Sequence, residues 1–176
     1  YWPAFLMGAG LEPPKRVFAH GWWTNEGEKI SKSLGNVIEP RQIVETYGLD
    51  QVRYFLLREV PFGNDGDFSH RSMVNRINSE LANDLGNLAQ RSLSMVGRYC
   101  DGTLPEPGDF SDTDNEILTH AAKVLDDVRT HMDNQAFHEA LETIWVLVRA
   151  ANAYVDAEAP WKLHKEDPAR RDTVLY

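Results

Sequence analysis

The stretch from Ser69 to Tyr99, "SHRSMVNRINSELANDLGNLAQRSLSMVGRY", decides the fold class. Its apolar residues recur mostly at steps of three or four, the spacing of one face of an α-helix. They are Met73, Ile77, Leu81, Leu85, Leu88, Met95 and Tyr99. The pattern predicts one long amphipathic helix whose apolar side packs against other elements.

Two further helices are predicted after the break "DGTLPEPGDFSD". One runs from about Thr113 to Met132 and the other from about Asn134 to Ala159. The inward-facing side chains expected in them are Ile117, Val124, Leu125 and Val128, then Phe137, Leu141, Ile144, Trp145, Val148 and Val155. Helices with short connections pack antiparallel, so residues 69–176 are predicted to form an α-helical bundle.

The first 68 residues follow a different pattern, and we predict a separate small α/β unit there. "KRVFAHGWWT" is rich in aromatic and β-forming residues and precedes the turn "NEG", so Arg16 to Thr24 is predicted as a strand. Residues 40–48 and 50–60 are predicted helices, the second capped by Asp50.

The glycine-rich connector "PFGNDGDF" then marks the predicted domain boundary after residue 68. Its carboxylates Asp65 and Asp67 are interpreted as part of a solvated loop that caps the next helix.

The segment "GEKISKSLGN", Gly27 to Asn36, is predicted to be a loop. Lysines on a loop can place positive charge against a polyphosphate, and serine hydroxyls and backbone N–H groups add further donors. Glycines at 27 and 35 permit hinge conformations and a close backbone approach. The alternative is a solvated basic loop without a ligand.

Composition limits the possible partners and compartments. The net charge of −9 argues against a broad basic nucleic-acid surface. The segment from Ser69 to Cys100, however, contains four arginines and only two acidic residues. Cys100 is the only cysteine and the six histidines lie far apart, so we expect no metal site within this segment. No apolar run approaches the roughly 20 residues that cross a bilayer, so we expect a cytoplasmic protein without membrane contact.

"AHGWWTNEGEKISKSLGNVI" resembles the second signature of class I aminoacyl-tRNA synthetases, the KMSKS loop, in the form that methionyl-tRNA synthetases carry. Ile30 stands where the signature usually has Met. The segments "YWPAFLMGAGL", "YGLDQVRYFLLREVPFGNDGDFS", "RINSELANDLGNLAQR" and "AEAPW" resemble the same family in the same order.

The resemblance implies a mainly α fold in two parts. Residues 1–68 would be the end of a class I, Rossmann-type catalytic domain with its α/β linker. Residues 69–176 would be an anticodon-binding helical bundle, truncated because the chain is expected to be a fragment.

The resemblance also implies an ATP site. Lys32 and Lys29 would be catalytic, with Lys32 on the ATP phosphates and Lys29, Ile30, Ser31 and Ser33 shaping the loop. His20 and Gly21 would lie beside the nucleotide, although a buried structural histidine is an alternative for His20. The parent enzyme would use methionine, ATP and Mg²⁺. The family's His-x-Gly-His segment does not occur here, so this chain alone is expected to be inactive.

Asn87 and Arg91 are four residues apart and share a helix face. An amide and a guanidinium can bond base edges, and a tryptophan such as Trp161 can stack on an unpaired base. From spacing alone, a helix-surface pair and a tryptophan that seals the bundle end are the favoured interpretations. The resemblance implies that these three residues recognise the CAU anticodon of tRNA(Met).

Two rival interpretations remain open. The chain could belong to a class I synthetase for leucine, isoleucine, valine or cysteine. It could also be a non-catalytic tRNA-binding helical module, although the intact Lys29, Ser31, Lys32 and Ser33 argue against a loss of the chemistry.

Overall fold

The structure is a computed structural model that describes residues 1–176. Its first part contains a small three-stranded sheet and short helices. The elements are α1 Trp2–Gly8, β1 Trp23–Asn25, β2 Glu28–Lys29, α2 Pro40–Tyr47, α3 Leu49–Arg58 and β3 Gly66–Phe68. The strand order is β2–β1–β3, with β1 antiparallel to β2 and parallel to β3.

The second part is entirely helical, and the prediction of a mainly α chain is confirmed. The elements are α4 His70–Arg76, a π-helical segment Ile77–Gly86, α5 Asn87–Tyr99, α6 Asp112–Asp133, α7 Phe137–Glu158, α8 Pro160–Glu166 and α9 Pro168–Leu175. The first three form one continuous helix because the residues at both junctions keep right-handed helical backbone angles. Helices α6 and α7 pack together as the main helical pair.

A compact apolar core holds the sheet to the start of the long helix. Ile43 of α2, Phe55 of α3, Phe68 of β3 and Met73 of α4 are all buried and pack together. Ser69 begins the helix, because its side-chain oxygen accepts a hydrogen bond from the Ser72 N–H at 3.2 Å. The long helix is therefore fixed directly to the strand that carries Phe68.

The π-helical segment changes which side chains of the long helix are buried. The predicted apolar stripe assumes an unbroken α-helical period, but i→i+5 hydrogen bonding adds residues to each turn and rotates the following face. Leu85 is consequently exposed, and Glu80 is buried. Met73 and Met95, on either side of this segment, are buried as predicted.

Buried Glu80 is satisfied by an ionic cluster that joins the two parts of the chain. It accepts hydrogen bonds from the Tyr54 hydroxyl, from Arg58 at 3.1 Å and from Arg76 at 3.0 Å. Arg58 also pairs with Glu142 of α7. Burial and the bond to Glu80 raise the pKa of Tyr54, so its hydroxyl stays a donor. The cluster ties α3 to both the π-helical segment and α7.

Several local predictions need correction. The strand predicted over residues 16–24 is paired only from Trp23, because β3 offers a partner only there. Asp50 lies inside the first turn of α3, whose N-cap is Gly48. Leu125, predicted to face inward, is exposed on α6. The helices predicted over residues 40–48, 50–60 and 113–132 are confirmed to within a few residues, and the helix predicted over 134–159 is confirmed as α7, Phe137–Glu158.

Candidate nucleotide loop and nucleic-acid interface

The loop that carries the lysines and serines starts as a tight β-hairpin. Strands β1 and β2 are joined at Glu26 and Gly27, which both have positive φ angles of 52° and 80°. Two consecutive left-handed residues are typical of a two-residue hairpin turn, and glycine takes this conformation without steric cost. The hairpin turn therefore fixes the backbone position of Lys29 at the end of β2.

Two carboxylates that sequence analysis assigned to a solvated capping loop hold this hairpin. Asp67 accepts hydrogen bonds from the Gly27 N–H at 2.7 Å and from the Thr24 hydroxyl at 2.5 Å. Asp65 accepts one from the Trp22 N–H at 2.7 Å. The capping interpretation is wrong because Ser69 supplies the helix cap. No sequence signal pointed to these contacts, since donors and acceptors lie about forty residues apart.

Asn36 closes the loop that follows β2. Its side-chain oxygen accepts from the Ser31 N–H at 2.9 Å, and its amide donates to the Lys29 carbonyl at 3.0 Å. Its own carbonyl accepts from the Asn25 side chain at 2.8 Å. Sequence analysis missed this residue, although an asparagine that follows a glycine at the end of a loop is a typical turn signal. Its amide joins the two ends of the loop.

Inside the loop the polar groups are close together and face solvent. The hydroxyls of Ser31 and Ser33 lie 2.7 Å apart, and Gly35 reverses the chain at a φ of 67°. Lys29 and Lys32 are exposed, and neither pairs with a carboxylate. Ile30 is half-buried between them. Two free ammonium groups and two hydroxyls on a pinned loop are suited to binding an anion with several oxygens.

His20 and Gly21 immediately precede Trp22 and β1, and Gly21 is in close contact with another segment. His20 is exposed, so the alternative of a buried structural histidine is wrong. A Cβ on Gly21 would lie 2.2 Å from the Asn64 carbonyl carbon and 2.5 Å from the Asp65 nitrogen. Only glycine therefore permits this approach of the chain before β1 to the segment before β3. A location beside the nucleotide stays a prediction for both residues.

On the helical part, the structure brings Arg91 and Trp161 together. The Arg91 guanidinium carbon lies 5.5 Å from the centre of the Trp161 ring, within cation–π range. An Arg91 nitrogen also lies 2.5 Å from a carboxylate oxygen of Asp156. Asn87 is exposed one turn earlier on the same helix. Trp161 remains 38% exposed, so part of its ring is open to solvent.

The position of Trp161 depends on a sharp break between α7 and α8. Ala159 adopts a left-handed conformation with φ 46°, although it is not glycine, and the following Pro160 is fully buried. Proline suits the first position of a new helix. The break turns α8 back toward α5, and Trp161 follows directly.

Ion pairs behind this break fix the last helices. Buried Asp114 of α6 accepts hydrogen bonds from Arg170 of α9 and from the Tyr154 hydroxyl at 2.6 Å. Arg170 also pairs with Glu158 at 2.7 Å. The hydrogen bond from Arg170 lowers the pKa of Asp114 well below its usual range, although burial opposes it. Helices α6, α7 and α9 are thus joined around one carboxylate.

A groove of about 250 Å³ continues from Trp161 along α5. It is lined by Gln90, Arg91, Ser94, Met95, Arg98, Tyr99 and Trp161. At its far end the Tyr99 and His164 rings stack with their centres 4.2 Å apart. Polar donors beside stacking aromatic rings are the combination that binds unpaired nucleotides.

The structure contains neither a cluster of metal-binding side chains nor a helix that could span a membrane. No group of three or more histidine, cysteine or acidic side chains lies close enough to hold a metal ion. The helices are also all too short or too polar to span a bilayer.

Comparison with known proteins shows the family to which the chain belongs. A family model described as "tRNA synthetases class I (M)" matches residues 1–93, more than half of the chain. This match places the chain among the class I aminoacyl-tRNA synthetases. Within that class the chain belongs to the methionine family, and a second model, "Anticodon binding domain of methionyl tRNA ligase", matches residues 104–175. The proposed alternatives for leucine, isoleucine, valine and cysteine are therefore wrong.

Individual relatives give the same result. The chain is 60% identical over 176 residues to the methionine–tRNA ligase of Brucella suis and 56% identical over 180 residues to that of Mycobacterium tuberculosis. It superimposes with a TM-score of 0.91 on Mycobacterium tuberculosis methionyl-tRNA synthetase in complex with methionyl-adenylate, at 56% identity. All of this chain is matched in each case, but only 34–35% of the relative. The chain thus spans about a third of the length of these relatives.

Proposed function

We propose that this chain is the part of a methionine–tRNA ligase that binds the phosphates of ATP and recognises the anticodon of tRNA(Met). The observation that carries the proposal is a pair of exposed polar surfaces, one on each of two parts of the chain that the Glu80 cluster joins. One is the free basic loop of residues 29–33, and the other is the Arg91–Trp161 pair. The family membership and the adenylate complex of a close relative support it.

The first reaction is the activation of methionine. A methionine carboxylate oxygen attacks the α-phosphorus of ATP, the bond to the bridging oxygen breaks, and pyrophosphate leaves as methionyl-adenylate forms. Negative charge accumulates on the phosphate oxygens during this step. An ammonium group already placed at those oxygens stabilises the transition state more than the ground state.

Lys32 is the residue assigned to that role, and Lys29 supports it. Both are exposed and have no carboxylate partner, so binding ATP breaks no ion pair. Ser31 and Ser33 add hydroxyl donors, and Asn36 and Asp67 hold the loop and its hairpin in place. His20 and Gly21 belong to the same nucleotide face in this proposal.

Magnesium enters as part of the ATP substrate. Mg²⁺ prefers carboxylate and phosphate oxygens, and this face offers lysines and serines rather than a carboxylate cluster. The phosphate oxygens would therefore hold it, where it neutralises part of the charge of the leaving pyrophosphate.

The second reaction transfers the methionyl group to a terminal ribose hydroxyl of the tRNA, and AMP leaves. Recognition of the correct tRNA takes place on the helical part. Trp161 stacks on an unpaired anticodon base, and Arg91 and Asn87 bond base edges. Arg91 is already held in place by Asp156 and by the Trp161 ring, so little side-chain entropy is lost on binding.

The experiment separates the two faces in a full-length ligase that contains this segment. Lys32→Ala should slow methionine-dependent pyrophosphate exchange by about 100-fold or more, since it removes transition-state charge stabilisation. Trp161→Ala should leave that exchange near wild type and weaken charging of tRNA by roughly 5- to 150-fold. Lys123→Ala, an exposed lysine of α6, is the matched control and should change neither assay.

Normal pyrophosphate exchange by the Lys32→Ala enzyme would refute the ATP role of the loop. Equal losses in both assays for Trp161→Ala would indicate a packing role instead of anticodon recognition. Normal exchange combined with lost charging in both variants would assign both faces to tRNA binding and leave this segment without a role in methionine activation.

A further inference from the structure

The groove beyond Trp161 contains a second cation that the anticodon assignment does not use. Gln90, Ser94 and Arg98 follow one another at steps of four, so their side chains share one face of α5. All three line the groove with Trp161. The groove therefore extends about two helical turns past the residues assigned to base recognition.

Arg98 differs from the other arginine of the groove in its partners. Arg91 is paired with Asp156, and its guanidinium is also covered by Trp161. Arg98 is exposed and makes no salt bridge, so its five N–H donors are free. The only charged side chains that line this groove are these two arginines. An anion that enters it meets Arg98 without displacing a carboxylate.

The spacing along the helix shows which part of an RNA Arg98 could reach. Seven residues separate Arg91 from Arg98, which corresponds to a rise of about 10 Å along α5. Stacked nucleotides advance about 3.4 Å each along a strand, so this distance spans about three of them. A base bonded by Arg91 and a group bound by Arg98 therefore belong to different nucleotides.

We propose that Arg98 binds a backbone phosphate of the anticodon arm, about three nucleotides from the base that Arg91 bonds. This inference rests on the proposed function of the helical face. A free guanidinium forms a bidentate pair with phosphate oxygens, and that contact carries no base information. The Tyr99 ring, which also lines the groove, stacks on the His164 ring and is thereby held in place.

The test measures binding of the purified 176-residue chain to an RNA stem-loop with the CAU anticodon and to one with an altered anticodon. Arg98→Ala should weaken binding of both RNAs about 5- to 20-fold at low salt. The slope of log K against log salt should fall by about 0.7, the value for one phosphate contact of a single strand. The preference for CAU should not change.

Two further variants make the result specific. Arg98→Lys keeps the charge and should retain most of the affinity and the full salt slope. Arg71→Ala removes another exposed, unpaired arginine near the opposite end of the long helix and should have no effect. Thermal melting of each variant checks that the fold is intact.

Unchanged affinity and salt slope for Arg98→Ala would overturn the inference. If Arg91→Ala and Trp161→Ala still lost binding in the same assay, the proposed function would stand without it. A smaller CAU preference in Arg98→Ala would also overturn it, because Arg98 would then read a base. Failure of the wild-type chain to prefer CAU would count against the proposed function itself.

Discussion

Asn36 offers the sharpest test of how this chain holds its nucleotide loop. Replacement by alanine removes two hydrogen bonds, from the Ser31 N–H and to the Lys29 carbonyl, and leaves the backbone bond to Asn25 intact. One such bond contributes about 0.5–1.5 kcal/mol net, so the loop loses roughly 1–3 kcal/mol of preference for its closed shape. If Lys32 acts from that shape, the rate falls by about 5- to 150-fold.

The assay is methionine-dependent pyrophosphate exchange by a full-length ligase that carries Asn36→Ala. We expect the loss in kcat and in kcat/KM for ATP, with little change in KM for methionine, because the loop is assigned to the phosphates alone. Asn36→Asp retains the acceptor for Ser31 and loses the donor to Lys29, so its loss should be intermediate. Asn83→Ala, an exposed asparagine of the π-helical segment, is the matched control.

Exchange at the wild-type rate in Asn36→Ala would refute the argument that this side chain positions the loop. An equal loss in Asn83→Ala would show that the assay responds to general destabilisation. A loss confined to the methionine KM would place the effect at the amino-acid site, contrary to the assignment of the loop to ATP.

Two further predictions concern stability. Glu80→Ala should destabilise the chain by about 1–3 kcal/mol in urea unfolding, because it leaves the Tyr54 hydroxyl without its acceptor, whereas Arg58 and Arg76 keep Glu142 and Glu59 as partners; exposed Glu116→Ala should cost little, and equal costs would contradict the assigned role of the cluster. The pKa of Asp114 in the folded chain is held below its value of about 3.9 in the unfolded chain. The stabilisation that the ionised Asp114 carboxylate provides is therefore complete above about pH 3.9 and is lost as the pH falls below that value. The free energy of unfolding of Asp114→Asn should therefore depend less on pH between about 5 and 3 than that of the wild type, and parallel curves would contradict this.

The sequence by itself determined four of the helices and the polar, glycine-flanked composition of the loop at residues 27–36. Helical periodicity and helix start and stop signals are local properties. Periodicity located α6 and α7, and proline, glycine and cap signals located α2 and α3, to within a few residues. The segment "NEG" predicted a turn, and Gly27 and Gly35 both use the conformational freedom expected of them by adopting positive φ angles. The roles of the residues on the two faces stay predictions that the experiments above address.

Tertiary structure decided which side chains those elements bury and which distant groups they bring together. In the π-helical segment Leu85 is exposed and Glu80 is buried. The buried Glu80 carboxylate is tolerated because Arg58 and Tyr54 of α3 donate hydrogen bonds to it. Asp67 reaches Gly27 across forty residues, and Trp161 reaches Arg91 only because the left-handed Ala159 turns α8 back toward α5. Periodicity records only which side of its own helix a residue occupies. Contacts between distant segments depend on how the helices dock and where their axes break, and those features are set by packing and ion pairing across the whole chain.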